Sequence, residues 1–197
     1  MSTSRLDSQL AFILEIDKLK RILRQTPVTG PERRPENDAE HSWHLAMMAG
    51  LLAEYSPAPV DVGRVVRMVL VHDIVEIDAG DTFAYDAAAY ADKEARELKA
   101  AERIFGMLPA DQAAEVRALW DEFELAQTAE SRFANALDRL QPLLLNSQTG
   151  GGSWATHRIT RPMVLKRMEP VRLGAPALWP VVTAIVEDAY GRGWLGE

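Results

Sequence analysis

The chain has 197 residues, 47% apolar and 26% charged, a balance that fits a soluble globular protein and argues against disorder or membrane spanning. It contains no cysteine, which excludes disulfides, thiolate nucleophiles and cysteine-ligated zinc and leaves His, Asp and Glu to hold any metal. Twenty-two basic residues against 29 acidic give a formal charge of −7, which argues against a broad nucleic-acid footprint and favours a small-molecule partner.

The longest apolar runs, such as Leu143–Leu145, fall far short of the roughly 20 residues a bilayer needs, and no N-terminal stretch has the layout of a secretory signal. A cytoplasmic protein without membrane contact is therefore expected. From Leu6 to Arg24 apolar residues recur at helical spacing until Pro27 and Gly30 break the pattern. After the loop QTPVTGPERRPEN, Asn37 with Glu40 three residues on forms a capping box, predicting a second helix through Leu45, Met48, Leu52 and Tyr55. A third helix is predicted from Asp61 to Asp78, stopping at Gly80. A fourth covers KEARELKAAERIFGML to Leu108, and Pro109 suits the first turn of a fifth. A sixth spans Ala129 to Leu145, the Gly-rich TGGGSW follows as a connection, and two more cover Arg161–Met168 and Ala177–Tyr190. No segment alternates convincingly with period two, and no linker divides the chain. The expectation is all-α, with roughly eight helices packed as one domain over residues 1–197.

Two of these helices carry ionisable residues where apolar ones belong. In VVRMVLVHDIVEIDAGD, the adjacent His72 and Asp73 interrupt a segment built for burial. On a continuous helix His72 and Glu76 are i and i+4, Asp73 and Glu76 i and i+3, so all three can line one cavity. His41 near the start of the second helix and Asp138 inside ANALDRLQPLLL make, with His72 and Asp73, a set of four imidazole and carboxylate groups suited to Mn, Co, Fe, Zn or Mg, with positions left for water and substrate. A cation would explain the burial, since an uncompensated buried carboxylate costs several kcal/mol. Taken singly, each residue also has an ordinary reading: a His-Asp pair is more often a surface or hydrogen-bonded feature, Asp138 can pair with Arg139 or Arg132, and His41 can bond near a helix start.

The joint arrangement of His41, His72-Asp73 and Asp138 resembles the HD-domain metal-dependent phosphohydrolases, and the strings ENDAEHSWHLAMMA and VHDIVEIDAGD are similar to those of their 5′-deoxynucleotidase branch. The resemblance runs from the first helix to Asp138. It implies an all-helical, dimeric enzyme that removes phosphate from nucleoside monophosphates with a divalent metal. It also implies His41, His72, Asp73 and Asp138 as ligands, and Glu76 and Asp81 as catalytic or second-metal residues. Two departures stand out. The branch has an arginine at the end of the first helix, commonly followed by an aromatic residue; here Arg24 is followed by Gln25-Thr26-Pro27. The string LLLNSQTGGGSWATHRIT is unlike the deoxynucleotidases and similar to a broader set of HD hydrolases.

The expected reaction is attack of metal-bound water on a phosphomonoester, with Glu76 orienting or deprotonating the water and Asp81 protonating the leaving oxygen or holding a second cation. Arg24, with Arg33 or Arg34, would bind phosphate oxygens, although ERRPEN reads equally as a solvated loop. His157 would border the substrate pocket if Thr149–Trp154 is more than a connection, and His44 reads as a supporting residue. Trp43 and Trp154 could stack on a base, though a tryptophan is more often core. Three rivals remain at this point: a di-iron oxygenase on the same scaffold, a hydrolase of another nucleotide such as an alarmone, and a metal-binding protein without turnover. The resemblance and the apolar late helices, including Trp179 and Trp194, lead to the expectation of a homodimer.

Overall fold

The structure, a computed structural model, describes residues 4–86 and 91–197. Helix α1 (Arg5–Ile16) opens with a capping box in which Ser4 and Asp7 satisfy each other's backbone donors, and it tightens into a 3-10 turn over Asp17–Arg21. The first predicted helix therefore ends before Arg24. That arginine stands instead on a strand, β1 (Leu23–Pro27), paired antiparallel with β2 (Pro35–Asn37) across the polar loop. This small sheet and an isolated bridge between Thr160 and Gly196 are the β-type pairings among the described residues of an otherwise helical chain.

Asn37 caps α2 (Asp38–Leu52) through the expected capping box with Glu40. Helix α3 (Val62–Val71), capped by Asp61, stops sooner than predicted. His72 makes the last α-type bond, to Met68, after which Ile74 N bonds Val71 O and Glu76 N bonds Asp73 O, three residues back. A tight turn thus separates α3 from the short α4 (Glu76–Ala79). Then come α5 (Lys93–Phe105), α6 (Ala110–Leu125) and the long α7 (Ala129–Gln148), whose Pro142 removes the N–H that the Asp138 carbonyl would otherwise accept.

TGGGSW is not a plain connection. Gly151 and Gly152 adopt positive φ at the start of a short helix, α8 (Gly152–His157), and a Cβ on Gly152 would lie 2.2 Å from Asn146 Oδ1, so glycine is the residue that fits there. The chain closes with α9 (Arg161–Arg167), α10 (Glu169–Gly174) and α11 (Trp179–Gly191).

Two apolar clusters hold these elements. The larger joins α2, α3, α7 and the C-terminal helices through Leu45, Met68, Phe133, Leu137, Trp154 and Val182. The smaller gathers Leu19, Ile74, Val75, Ile104, Phe105 and Trp120. Met68 and Val69 belong to the first and Ile74 and Val75 to the second, so the turn at His72-Asp73 is where the chain crosses between them. Its two ionisable side chains are buried by both, 4% and 7% exposed. No described helix is long and apolar enough to cross a membrane.

Candidate metal centre

Four elements deliver the side chains. α2 contributes His41 and Asp38, the turn after α3 His72 and Asp73, α4 Glu76, and α7 Asp138. His41 Nε2 lies 3.0 Å from Asp138 Oδ1 and 4.0 Å from Asp73 Oδ2, while His72 Nε2 is 3.9 Å from the same Asp138 oxygen. Donor atoms of His41, His72 and Asp73 all fall within 4.8 Å of one another. The four predicted ligands therefore converge although they come from residues as far apart as 41 and 138.

The donor set fits a divalent cation. His72 Nδ1 is engaged by the Val69 carbonyl at 2.8 Å, and this contact makes Nδ1 the protonated nitrogen and leaves the Nε2 lone pair bare. Nε2 stands 3.0 Å from Asp73 Oδ1 but off the hydrogen-bonding direction, so it is buried without a partner. Imidazole nitrogens and carboxylate oxygens with no sulfur suit Mn, Co, Fe, Zn or Mg.

A second acidic group, Asp38, Glu76 and Asp81, presents oxygens within 4.8 Å of one another beside the first. Glu76 Oε2 and Asp38 Oδ2 are both buried and unpartnered. Burial, reinforced by Asp73, Asp38 and Asp81, raises the proton affinity of Glu76 well above the usual carboxylate range. Burial and Asp73 push Asp38 up to about 7, and burial also raises Asp81. Burial and Arg24 oppose a charge on His41, but Asp138 and Glu36 outweigh them and lift the imidazole to about 9. Asp138 runs the other way: burial works against its charge, yet Arg139, His41 and His72 hold it well below the usual range.

Arg24 sits among these carboxylates. Its Nη1 donates to Asp73 Oδ2 at 2.9 Å and Asp38 Oδ1 at 3.2 Å. Arg139 donates to Asp138 Oδ2 at 2.6 Å, so the pairing read as an alternative to metal binding coexists with the cluster geometry. Both arginines border a cavity of about 260 Å³, which His72, Asp73, Glu76 and Asp81 also line. Its lining also includes Tyr85, Asn146 and Trp154.

Other predicted residues lie further out. Arg34 pairs on the surface with Glu40, at 2.6 and 2.8 Å, and Arg33 borders a separate shallow hollow beside Gly150. His157 is 3.1 Å from Gln25 and its ring packs at a tilt against Phe83, which lines the main cavity, while His157 does not. Trp43 is 64% exposed and Trp154 2%. Sequence reasoning missed Asp38, Glu36 and Gln141. Asp38 was hidden by the cap it follows, although its place three residues before His41 puts both on one helix face.

Fold and site together define a helical, metal-dependent hydrolase centre opening on a small cavity. Comparison with known proteins makes this specific. The HD-domain family model matches residues 16–179, and the chain belongs to the HD-domain family of metal-dependent phosphohydrolases. Human 5′-deoxynucleotidase HDDC2 is 33% identical over 141 residues, 72% of this chain and 68% of that protein. Fission yeast 5′-deoxynucleotidase hdd1 is 28% identical over 140 residues, 67% of this chain and 69% of its own length. A crystal structure described as a predicted metal-dependent phosphohydrolase from Magnetospirillum magnetotacticum superposes with a TM-score of 0.93 at 57% identity, covering 98% of this chain and 97% of that one. The family expected from His41, His72-Asp73 and Asp138 is thus the one found, and the oxygenase, alarmone and non-catalytic readings are not favoured.

Proposed function

We propose that the chain releases phosphate from (deoxy)nucleoside 5′-monophosphates, with His41, His72, Asp73 and Asp138 holding a divalent ion and Glu76 and Asp81 serving the proton transfers. The observation that carries this reading is the pair of adjoining groups, His41, His72 and Asp73 in one and Asp38, Glu76 and Asp81 in the other, with His72, Asp73, Glu76 and Asp81 lining a single cavity. The similarity to the two 5′-deoxynucleotidases supports the choice of substrate.

When bound, the ion lowers the pKa of a coordinated water and neutralises charge on a phosphoryl oxygen. The chain supplies the rest. Glu76 lines the cavity with a buried, unpartnered Oε2 that would accept the water's proton, and in the metal-free chain burial raises its proton affinity. Asp81, whose proton affinity burial also raises, returns a proton to the leaving 5′-oxygen as the phosphorus–oxygen bond breaks. Arg24 locks Asp73 and Asp38 through Nη1, while its Nη2 makes no hydrogen bond to a described residue and is free to meet a phosphate oxygen.

The test is metal analysis of purified protein with phosphate release over a panel of nucleoside monophosphates in Mn²⁺, Co²⁺ and Mg²⁺. Turnover of 5′-monophosphates, lost together with bound metal in the His72→Ala, Asp73→Ala double variant, is expected. Stoichiometric metal surviving that double change, or no phosphate released from any monophosphate, overturns the reading. A homodimer remains part of the proposal. Leu6, Leu10, Ile13 and Leu14 leave an apolar stripe on α1 exposed, whereas Trp179 and Trp194 pack partly against the core. Light scattering at a mass near 21.9 kDa would count against it.

A further inference from the structure

Gln141 follows Asp138 by three residues on α7, so the two side chains share a face and reach the same imidazole from opposite sides. Asp138 Oδ1 stands 3.0 Å from His41 Nε2, and Gln141 Oε1 stands 3.1 Å from His41 Nδ1. Gln141 is 0% exposed, as is His41. Its neighbours dictate which way round its amide sits. The Glu36 carboxylate can only accept, and its Oε1 lies 2.6 Å from Gln141 Nε2; His44 Nδ1, 3.2 Å away, takes the second amide hydrogen. With both hydrogens directed there, the oxygen must face His41, and because an amide oxygen only accepts, His41 Nδ1 must carry the hydrogen between them.

We infer that Gln141, oriented by Glu36, is the positioning residue that fixes His41 with Nδ1–H turned inward and Nε2 presented to the metal. The chain of assignments starts at Glu36, whose other oxygen, Oε2, also stands 3.6 Å from His41 Nδ1, and ends at a ligand atom. It explains why an amide, and neither a hydrophobe nor a second carboxylate, occupies the core one turn after Asp138: it is the side chain that can donate to Glu36 and accept from His41 at once. Outer partners of ligating histidines fix the tautomer and ring orientation in the same way, and losing one weakens metal binding by about 10–100-fold.

This inference rests on the metal-site reading above, and the experiment separates the two. Mn²⁺ binding to the full chain is measured by titration calorimetry for the parent, Gln141→Met, Gln141→Glu and Glu36→Gln. Gln141→Met keeps the volume and loses both hydrogen bonds; it should weaken Mn²⁺ by about 10–100-fold. Gln141→Glu still offers His41 an acceptor but sets a second carboxylate against Glu36, so it should also bind Mn²⁺ more weakly than the parent. Glu36→Gln no longer dictates the amide orientation and should weaken Mn²⁺ by about tenfold, within the range for an outer partner. In protein loaded with diamagnetic Zn²⁺ and carrying ¹⁵N-histidine, a hydrogen-bonded Nδ1–H resonance of His41 should be present in the parent and absent from Gln141→Met.

Parental Mn²⁺ affinity in Gln141→Met, even with a lower melting temperature, overturns the inference and leaves Gln141 a packing residue. Should Gln141→Met fail to fold, parental affinity in Glu36→Gln overturns it alone. A parent that binds no Mn²⁺ overturns the metal-site reading itself, and the inference falls with it.

Discussion

Glu76 Oε2 and His72 Nε2 are both buried without hydrogen-bond partners, but they are orphaned for different reasons. His72 has spent its other nitrogen on Val69, so its free lone pair is a ligand in waiting. Glu76 belongs to a carboxylate group that the proposed four ligands do not need. Glu76→Gln should therefore keep metal content and melting temperature close to parental while lowering turnover by about 10²–10⁴-fold, the range for losing a positioned proton acceptor. Equal turnover in parent and variant, with metal still bound, would show that Glu76 is not that acceptor. Asp73→Ala should instead lose metal and turnover together, since its oxygens face His72, His41 and Arg24 at once. At this scale His72, Asp73 and Asp138 were legible because each breaks an apolar pattern, and His41, which stands in a polar stretch just after a cap, was legible only through its place in the joint arrangement. Asp38, Glu36 and Gln141 were not, because a capping turn, a polar loop and a single amide are unremarkable in sequence and acquire meaning only from what they touch.

At the level of elements, the helices with strong periodicity and a cap were legible: Asn37 with Glu40 and Pro109 mark real starts. What escaped were elements set by contact. β1 reads Leu-Arg-Gln-Thr-Pro with no alternation to speak of, and it is extended because β2 pairs with it and because Arg24 is drawn to Asp73 and Asp38. The break at His72 was masked by an apolar spacing that continues across it into the second cluster. The packing of α10 on α7, the helix carrying Asp138, offers a test with an internal control. A Cβ on Gly174 would lie 2.0 Å from the Arg132 carbonyl oxygen, a backbone atom that cannot step aside. Gly174→Ala should cost about 1–3 kcal/mol or more by overpacking, lowering Tm by several degrees. Gly50, exposed inside α2 with nothing within 4 Å of its Cβ position, should show the opposite sign: Gly50→Ala should stabilise by about 0.5–1 kcal/mol through helix propensity. Equal and small effects at both sites in thermal melts would contradict the α7–α10 contact.

Across the whole molecule, the buried site couples metal, protons and folding. In the metal-free protein Asp38 is pushed up to about 7 from 3.8, Glu76 and Asp81 are raised in the same direction, and His41 is lifted to about 9 from 6.5. All four bind protons more tightly folded than unfolded. Each therefore contributes stability that is fully present below its unfolded pKa and lost as pH rises through its folded one, so from about pH 4 to 9 the metal-free chain should become less stable. Asp138, held well below 3.8, acts oppositely but outside that window, its contribution being lost only as pH falls below the ordinary carboxylate value. A cation reverses the trend, because it binds deprotonated ligands and only the folded state assembles them. Thermal melts between pH 5.5 and 8.5 should show Tm falling with pH in chelator, and the gap between Mn²⁺-loaded and chelated protein widening. The net charge of −7 also penalises compactness at high pH, so Asp38→Asn supplies the control: removing the titrating group while keeping its shape should flatten the chelated slope without altering the rest of the surface. A chelated Tm that rises with pH over this range, or an Asp38→Asn slope equal to the parental one, would show that the carboxylates around Arg24 are not folded with raised proton affinity.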